Sequence, residues 1–269
     1  MRNLKAIYDK LDASLRAQAD SPAEFDKRVD KYLSKYGHDR IRTDDEYHWI
    51  LTYVAFYSGF RAKTVDSKKD TICNYLYGYK RASSYDEKTV QRILTDPGMI
   101  KSRRKTLSSI ENGRAIAAIV GEYGSFQAYL DSFKWRESLE NCWKLRRALI
   151  DKFWMIGPVT SLHFMTDVGM PVLKPDRVVL RVLSRLDLVS DKKATEATIR
   201  EAVGIGQGLS EATGKSIREI DIKLVSLGLE DGNEDFGVHK GICVEEHPRC
   251  NLCLLKDECA HFSKSAKAI

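Results

Sequence analysis

Four cysteines crowd into 17 residues near the end of this 269-residue chain, and they constrain it more than any other feature. The stretch Cys243-Val-Glu-Glu-His-Pro-Arg-Cys250-Asn-Leu-Cys253-Leu-Leu-Lys-Asp-Glu-Cys259 has the spacing C-x6-C-x2-C-x5-C, and only Cys73 and Cys142 lie elsewhere. Four thiolates this close in sequence can ligate one Zn²⁺ or one iron–sulfur cluster. Zinc sites more often come as two short C-x2-4-C pairs, so the uneven spacing favours a cluster and leaves zinc, disulfides and free thiols open. The first ten residues carry charges where a signal peptide needs an apolar run, and no apolar run reaches 18 residues. An intracellular protein with reduced thiols is therefore expected, which favours metal over disulfide. Lys and Arg exceed Asp and Glu by 44 to 38. This balance permits nucleic-acid binding if the charge collects on one face, and demonstrates nothing alone.

The chain reads as helix throughout. Leu4, Ile7, Tyr8 and Leu11 recur at helical spacing, and Ser21-Pro22 has the form of an N-cap followed by a first-turn proline. Thr43 with Glu46 three residues later is a capping box. It opens a helix through Phe60 rich in rings, with Ile50, Tyr53, Val54 and Tyr57 on one face. Periodicity favours a core helix; the alternative is that some of its rings line a pocket for a planar base. Helices follow at 69–76, 86–94, 101–123 and 125–133, broken by Asp96-Pro-Gly98 and Gly124-Ser125. The basic turn Lys101, Arg103, Arg104, Lys105 reads as solvated surface. A helix at 145–153, the turn Trp154-Met-Ile-Gly157-Pro158 and a second helix ended by Gly169 form a helix–turn–helix. A glycine there lets backbone approach an anion, and free N–H groups at the next helix start point at it. Pro175-Asp176 before an apolar helix makes Asp176 a good N-cap. Two more helices, at 194–203 and 210–227, are expected on either side of Gly204-Ile-Gly206-Gln-Gly208. Cys73 and Cys142 read as small buried hydrophobes. The fold class is all-α.

These motifs carry a resemblance. The cysteine spacing, with His247-Pro-Arg-Cys250 inside it, resembles the C-terminal [4Fe–4S] loop of the endonuclease III and adenine glycosylase families of DNA repair enzymes. Residues 47–133 resemble the helical body of the bacterial DNA-3-methyladenine glycosylase I family. The likeness rests on Ser58-Gly59-Phe60, Asp96-Pro-Gly-Met-Ile-Lys-Ser-Arg103, Asn112-Gly-Arg-Ala115 and Glu122-Tyr-Gly-Ser-Phe126. That family carries a pocket glutamate on the first helix, and Val54 occupies its place here. Residues 153–157 resemble the helix–hairpin–helix turn of the glycosylase superfamily, with Met155 where the first glycine stands. Asp176, Arg181, Arg185 and Leu186 fill the superfamily frame of an aspartate about 20 residues after the hairpin.

The resemblance implies two all-α lobes: a six-helix barrel at 41–170 with the hairpin at about 145–169, and an iron–sulfur domain of 1–40 plus 171–269. A cleft between them would take DNA. It implies a monofunctional DNA glycosylase of base excision repair that flips out a damaged base, an alkylated purine first, and hydrolyses its N-glycosidic bond. Bifunctional members place a lysine where this chain has Val159. Asp176 is the implied catalytic residue, and Tyr53, Tyr57 and Trp154 are candidates for the base. Gly157, Val159, Thr160 and Arg249 are candidates for the DNA backbone, and Cys243, Cys250, Cys253 and Cys259 for the [4Fe–4S] cluster. Double-stranded DNA with a damaged base is the expected partner and a monomer the expected state. A lyase acting on oxidised or mismatched bases, or a DNA-binding protein without activity, are the alternatives.

Overall fold

A computed structural model describes residues 2–36, 40 and 42–266, with the side chains of 35, 36, 265 and 266 left aside. Among the described residues there is no strand, only isolated bridges from Val238 to Ala19 and to Asn233. No helix is long and apolar enough to cross a membrane among them. The chain divides into two compact units, one of Met1–His38 with Pro171–Ile269 and one of Asp39–Met170.

Helices α1 (Leu4–Arg16) and α2 (Pro22–Tyr36) belong with the C-terminal half of the chain. Asn3 caps α1, and Ile7, Tyr8, Leu11 and Leu15 bury the stripe its periodicity announced.

The unit that begins at residue 39 is built from α3 (Asp44–Tyr57), α4 (Ala62–Asp66), α5 (Lys69–Leu76), α6 (Tyr79–Ser83) and α7 (Glu87–Thr95), followed by α8 (Arg103–Tyr123), α9 (Phe126–Ser132), α10 (Leu139–Lys152) and α11 (Pro158–Asp167). Thr43 and Glu46 close the capping box of α3 with bonds of 3.2 and 2.8 Å. Helix α8 packs against α3 and α6. Gly113 is required at that crossing, because a Cβ there would stand 2.9 Å from the Tyr79 carbonyl oxygen.

The basic turn at the start of α8 is not uniformly solvated. Arg103 pairs with Glu87 at the surface, whereas Lys105 is buried and donates to the carbonyls of Ala55 and Ser58. It closes the C-terminal end of α3, where cations are favoured. Burial brings its ammonium down to about 8.

The C-terminal half supplies α12 (Arg177–Arg185), α13 (Glu196–Thr213) and α14 (Ile217–Gly228), three short 3₁₀ turns and α15 (Ala260–Ala266). Helix α13 overturns the expectation of a break at the glycine run, because it continues through Gly204, Gly206 and Gly208. A Cβ on Gly206 would lie 2.9 Å from Leu173 Cβ, and one on Gly208 2.9 Å from Leu4 Cδ1. Close packing here outweighs a glycine propensity cost of ~1 kcal/mol per residue. The core joins Leu11, Leu15 and Phe25 to Val179, Leu183 and Leu224. Lys223 reaches Tyr8, Asp12 and Glu219 at 2.9, 2.6 and 2.7 Å, tying α14 to α1. The first 36 residues therefore complete this unit's core. Of the two remaining cysteines, Cys142 is fully buried as expected and Cys73 only half-buried.

Candidate functional site

Helix α3 places Trp49, Tyr53 and Tyr57 one turn apart, so their rings form a stripe. Trp49 and Tyr53 meet edge-on at 5.9 Å, and Tyr53 and Tyr57 at 6.0 Å. His163 of α11 lies 6.4 Å from each tyrosine ring. These four side chains are half-buried, so the stripe is a partly open wall rather than sealed core. Beneath it Asp167 is 6% exposed and accepts from the Tyr53 hydroxyl at 2.6 Å, with His163 Nε2 at 3.3 Å. The hydroxyl of Tyr57 donates to Asp66. Val54, on the inner side of the same helix, is fully buried and carries no polar group to the wall. Of the rings chosen from sequence, Tyr53 and Tyr57 come together. Trp154 is 57% exposed at the turn before α11, and no described ring contact joins it to either tyrosine.

That turn is held from behind. Asn112 of α8 accepts from Trp154 N–H at 2.8 Å and donates to its carbonyl at 3.1 Å. Arg146 of α10 is buried and donates through Nε and Nη2 to the Pro158 carbonyl. The Thr160 hydroxyl accepts from Gly157 N–H at 2.6 Å and lies 3.2 Å from the Met155 carbonyl, so it braces the turn internally. Gly157 caps α11 without a side chain, and Pro158 at the first helical position has no N–H to lose. The N–H groups of Val159 and Thr160 lie in the first turn, where helix geometry supplies no acceptor. A Cβ on Gly157 would meet only Thr160 Oγ1, at 3.9 Å. The protein's own packing does not demand this glycine, which leaves the space before α11 open to a ligand.

Met155 has φ of 59°, left-handed backbone that a residue with a Cβ resists. It stands at the position expected to carry a glycine, and the Asn112 clamp on its neighbour helps hold the strain. Met155→Gly is therefore expected to stabilise the protein by about 1 kcal/mol, less the backbone entropy glycine adds to the unfolded chain. A higher urea midpoint at unchanged slope is the check, and a lower midpoint would show that the Met155 side chain contributes more than the strain removes.

Asp176 is the N-cap of α12. Its Oδ1 accepts from Val178 and Val179 N–H at 2.9 and 3.0 Å, and Lys174 Nζ lies 3.2 Å from Oδ2. The Lys174 backbone N–H is fixed by Asp221 at 3.0 Å, a fully buried carboxyl whose pKa burial pushes up. The cap and a charge-bearing site coexist: two N–H donors, a helix start and an ammonium all favour the ionised carboxylate.

The cysteine loop wraps the far end of α12. Cys243, Cys250, Cys253 and Cys259 line one pocket together with Arg185 and Phe262. Arg185 donates to Cys243 Sγ at 3.3 Å and to the Val244 and Glu245 carbonyls at 2.7 and 3.0 Å. Cys259 Sγ donates to the Arg185 carbonyl at 3.3 Å. Burial pushes the Cys243 and Cys250 thiols up and Cys253 to about 11, and the mutual repulsion of the cysteines adds to it. Among the described residues no three His, Cys, Asp or Glu side chains converge closely enough to hold a single metal ion. Arg249, a DNA-backbone candidate, uses Nε and Nη2 on the Lys240 and Gly241 carbonyls.

Sequence reasoning missed His163, Asp167, Asn112 and Arg146 as parts of a site. The first pair had a readable signal: the two titratable side chains of α11 stand four residues apart. Asn112 opened a motif of the family resemblance, which gave it no role, and Arg146 had no signal; the partners of both are backbone atoms elsewhere in the chain.

No curated protein matches the chain. Among solved structures, a crystal structure of 3-methyladenine DNA glycosylase I is similar at 23% identity and a TM-score of 0.42, covering 48% of this chain and 81% of that one. The methyladenine glycosylase family profile matches residues 26–173, more than half of the chain, and stops short of Asp176 and the cysteine loop. The aromatic wall and the turn before α11 both lie inside that match, and the chain belongs to the methyladenine glycosylase family, which makes it a DNA N-glycosylase.

Proposed function

We propose that this enzyme removes alkylated purines from DNA by a single hydrolytic step, with a helix–hairpin–helix grip on the backbone and an iron–sulfur loop bracing its C-terminal unit. Membership of the methyladenine glycosylase family carries the substrate class. Phosphate would meet the N–H groups of Val159 and Thr160 across Gly157, a contact that positions the duplex without reading sequence. The flipped base would stack on Tyr53 and Tyr57, where rings contribute ~1–3 kcal/mol per base. Trp154, exposed beside the hairpin, suits a contact with unstacked DNA better than the base wall. Asp176, with two N–H donors and Lys174 beside its carboxyl, would stabilise positive charge developing on the sugar and orient the attacking water. An alkylated purine is cationic before the bond breaks, so it leaves without a strong general acid.

The four cysteines fit a cluster better than a zinc ion. They line one pocket, and their C-x6-C-x2-C-x5-C spacing lacks the two short pairs that zinc sites usually carry. The Arg185 N–H on Cys243 Sγ suits a thiolate ligand, which gains from such a donor. The group would cross-link the loop and contribute no step to hydrolysis. Within the loop, Arg185 and Arg181 tie the Cys243 carbonyl to α12, at 3.2 Å each.

The test is mass spectrometry of bases released from heavily methylated DNA. Release of a methylated purine, with no borohydride-trapped protein–DNA adduct, is the expected result. Lys174 is the nearest amine to Asp176, but an ammonium paired with a carboxylate is a poor nucleophile. A trapped adduct would replace the single-step reading with a lyase.

A further inference from the structure

The geometry points to Asp167 as a specificity-determining residue of this enzyme: it gives the aromatic wall of Trp49, Tyr53 and Tyr57 its preference for a base that carries a positive charge. The inference rests on the alkylated-purine reading and adds to it a carboxylate that the hairpin, Asp176 and the cysteine loop do not involve.

Three observations carry it. First, Asp167 stands where a structural carboxylate is disfavoured. It is the last residue of α11, at the end of the helix where the dipole opposes negative charge. It is also 6% exposed, so it loses most of its hydration. A carboxylate in such a place is held by its donors and not by water. Second, its donors are the wall itself. Tyr53 gives its hydroxyl proton to Oδ2 at 2.6 Å, and His163, 6.4 Å from both tyrosine rings, holds Nε2 at 3.3 Å from the same oxygen. Third, the tyrosine pattern repeats, because Tyr57 donates to Asp66. A phenol that donates to a carboxylate gains electron density on its ring, and an electron-rich face attracts cations. The wall already draws one, since the Lys69 ammonium lies 5.8 Å from the Tyr53 centroid.

The titratable groups described around the wall include Asp66 and Lys69 on the α4–α5 side and His163 and Asp167 on α11. Arg42 donates to the main-chain carbonyls of Asp167 and Val168 at 3.1 and 3.2 Å. A purine alkylated on a ring nitrogen carries its charge in the plane that would stack on these rings. It gains from both the ring faces and the carboxylate beneath them. The undamaged base has the same shape and no charge, so it gains only the stacking. The carboxylate thereby discriminates by charge where shape alone cannot.

The test is calorimetric titration of the intact protein with two purines free of sugar, the permanently charged 7,9-dimethyladeninium ion and neutral 9-methyladenine. The wild type is expected to bind the cation about tenfold more tightly. Asp167→Asn is nearly isosteric, and it should bring the two affinities together while leaving the melting temperature unchanged or higher. Equal affinities in the wild type, or a preference that survives in Asp167→Asn, would overturn the assignment. If Asp167→Asn does not fold, Asp167→Ser takes its place, and a cation preference that survives in it would overturn the assignment equally. The titration involves no bond cleavage, so a protein that releases no alkylated purine but prefers the cation would sink the proposed substrate and leave the wall's selectivity standing.

Discussion

Asp176→Asn is expected to lower the release of alkylated purine by ~10²–10³-fold, the range seen when one preorganised electrostatic group is removed from a site. The substitution is informative because the two roles of Asp176 respond differently to it. As an N-cap, asparagine serves nearly as well as aspartate, so the bonds to Val178 and Val179 N–H can persist and the fold should lose well under about 1 kcal/mol. As a source of negative charge, asparagine supplies nothing. Lys174 would also lose the carboxylate charge 3.2 Å away. The measurement compares single-turnover release by wild type and variant on methylated DNA, with thermal melting and duplex binding as controls. Undiminished release would reduce Asp176 to a helix cap. A defect that merely tracks lost stability would do the same.

Cys253→Ser is expected to have the largest effect on stability. Serine is a poor ligand for iron, so the variant should lose the broad absorbance near about 400 nm that a thiolate-bound cluster gives. Ligand bonds formed only in the folded state count wholly towards folding, and their loss should cost on the order of 5 kcal/mol. The consequence should extend beyond the loop, since Cys243, Cys253 and Cys259 pack against the core that α1, α2, α12 and α14 share. Iron and sulfide analysis of the purified wild type is the companion measurement. Protein that carries zinc without iron, or a Cys253→Ser variant that melts with the wild type, would remove the cluster from this account.

Much of the site is legible in the order of residues alone, and the legible parts share a cause. The capping box of Thr43, the stripe of α1, the N-cap of Asp176 and the turn at Gly157 are all set within about four residues of themselves. Local hydrogen bonding and helical periodicity decide them. Where local reasoning fails, the cause is the opposite. Gly204, Gly206 and Gly208 suggest a break on propensity, but α13 runs through all three, and at Gly206 and Gly208 the missing side chains leave room for Leu173 and Leu4. Lys105 belongs to a run of surface cations, and only the end of α3, 50 residues earlier in the chain, turns it inward.

By itself the amino-acid sequence determined that the chain is helical, where most helices begin, and which four thiols lie close along it. The tertiary structure alone decided which polar groups surround the aromatic wall. It brought Asp167 under Tyr53, Asn112 onto the Trp154 backbone and Arg146 onto the Pro158 carbonyl. It also joined residues of the first two helices, from Ile7 to Val29, to a core whose other members begin at Leu173. The division follows from the range of the forces. A helix cap or a four-residue repeat acts within one turn and leaves its mark in adjacent letters. A buried carboxylate or a clamp on a distant carbonyl depends on which helices pack together, and that is settled by the summed burial of many apolar side chains, none of which names its partner.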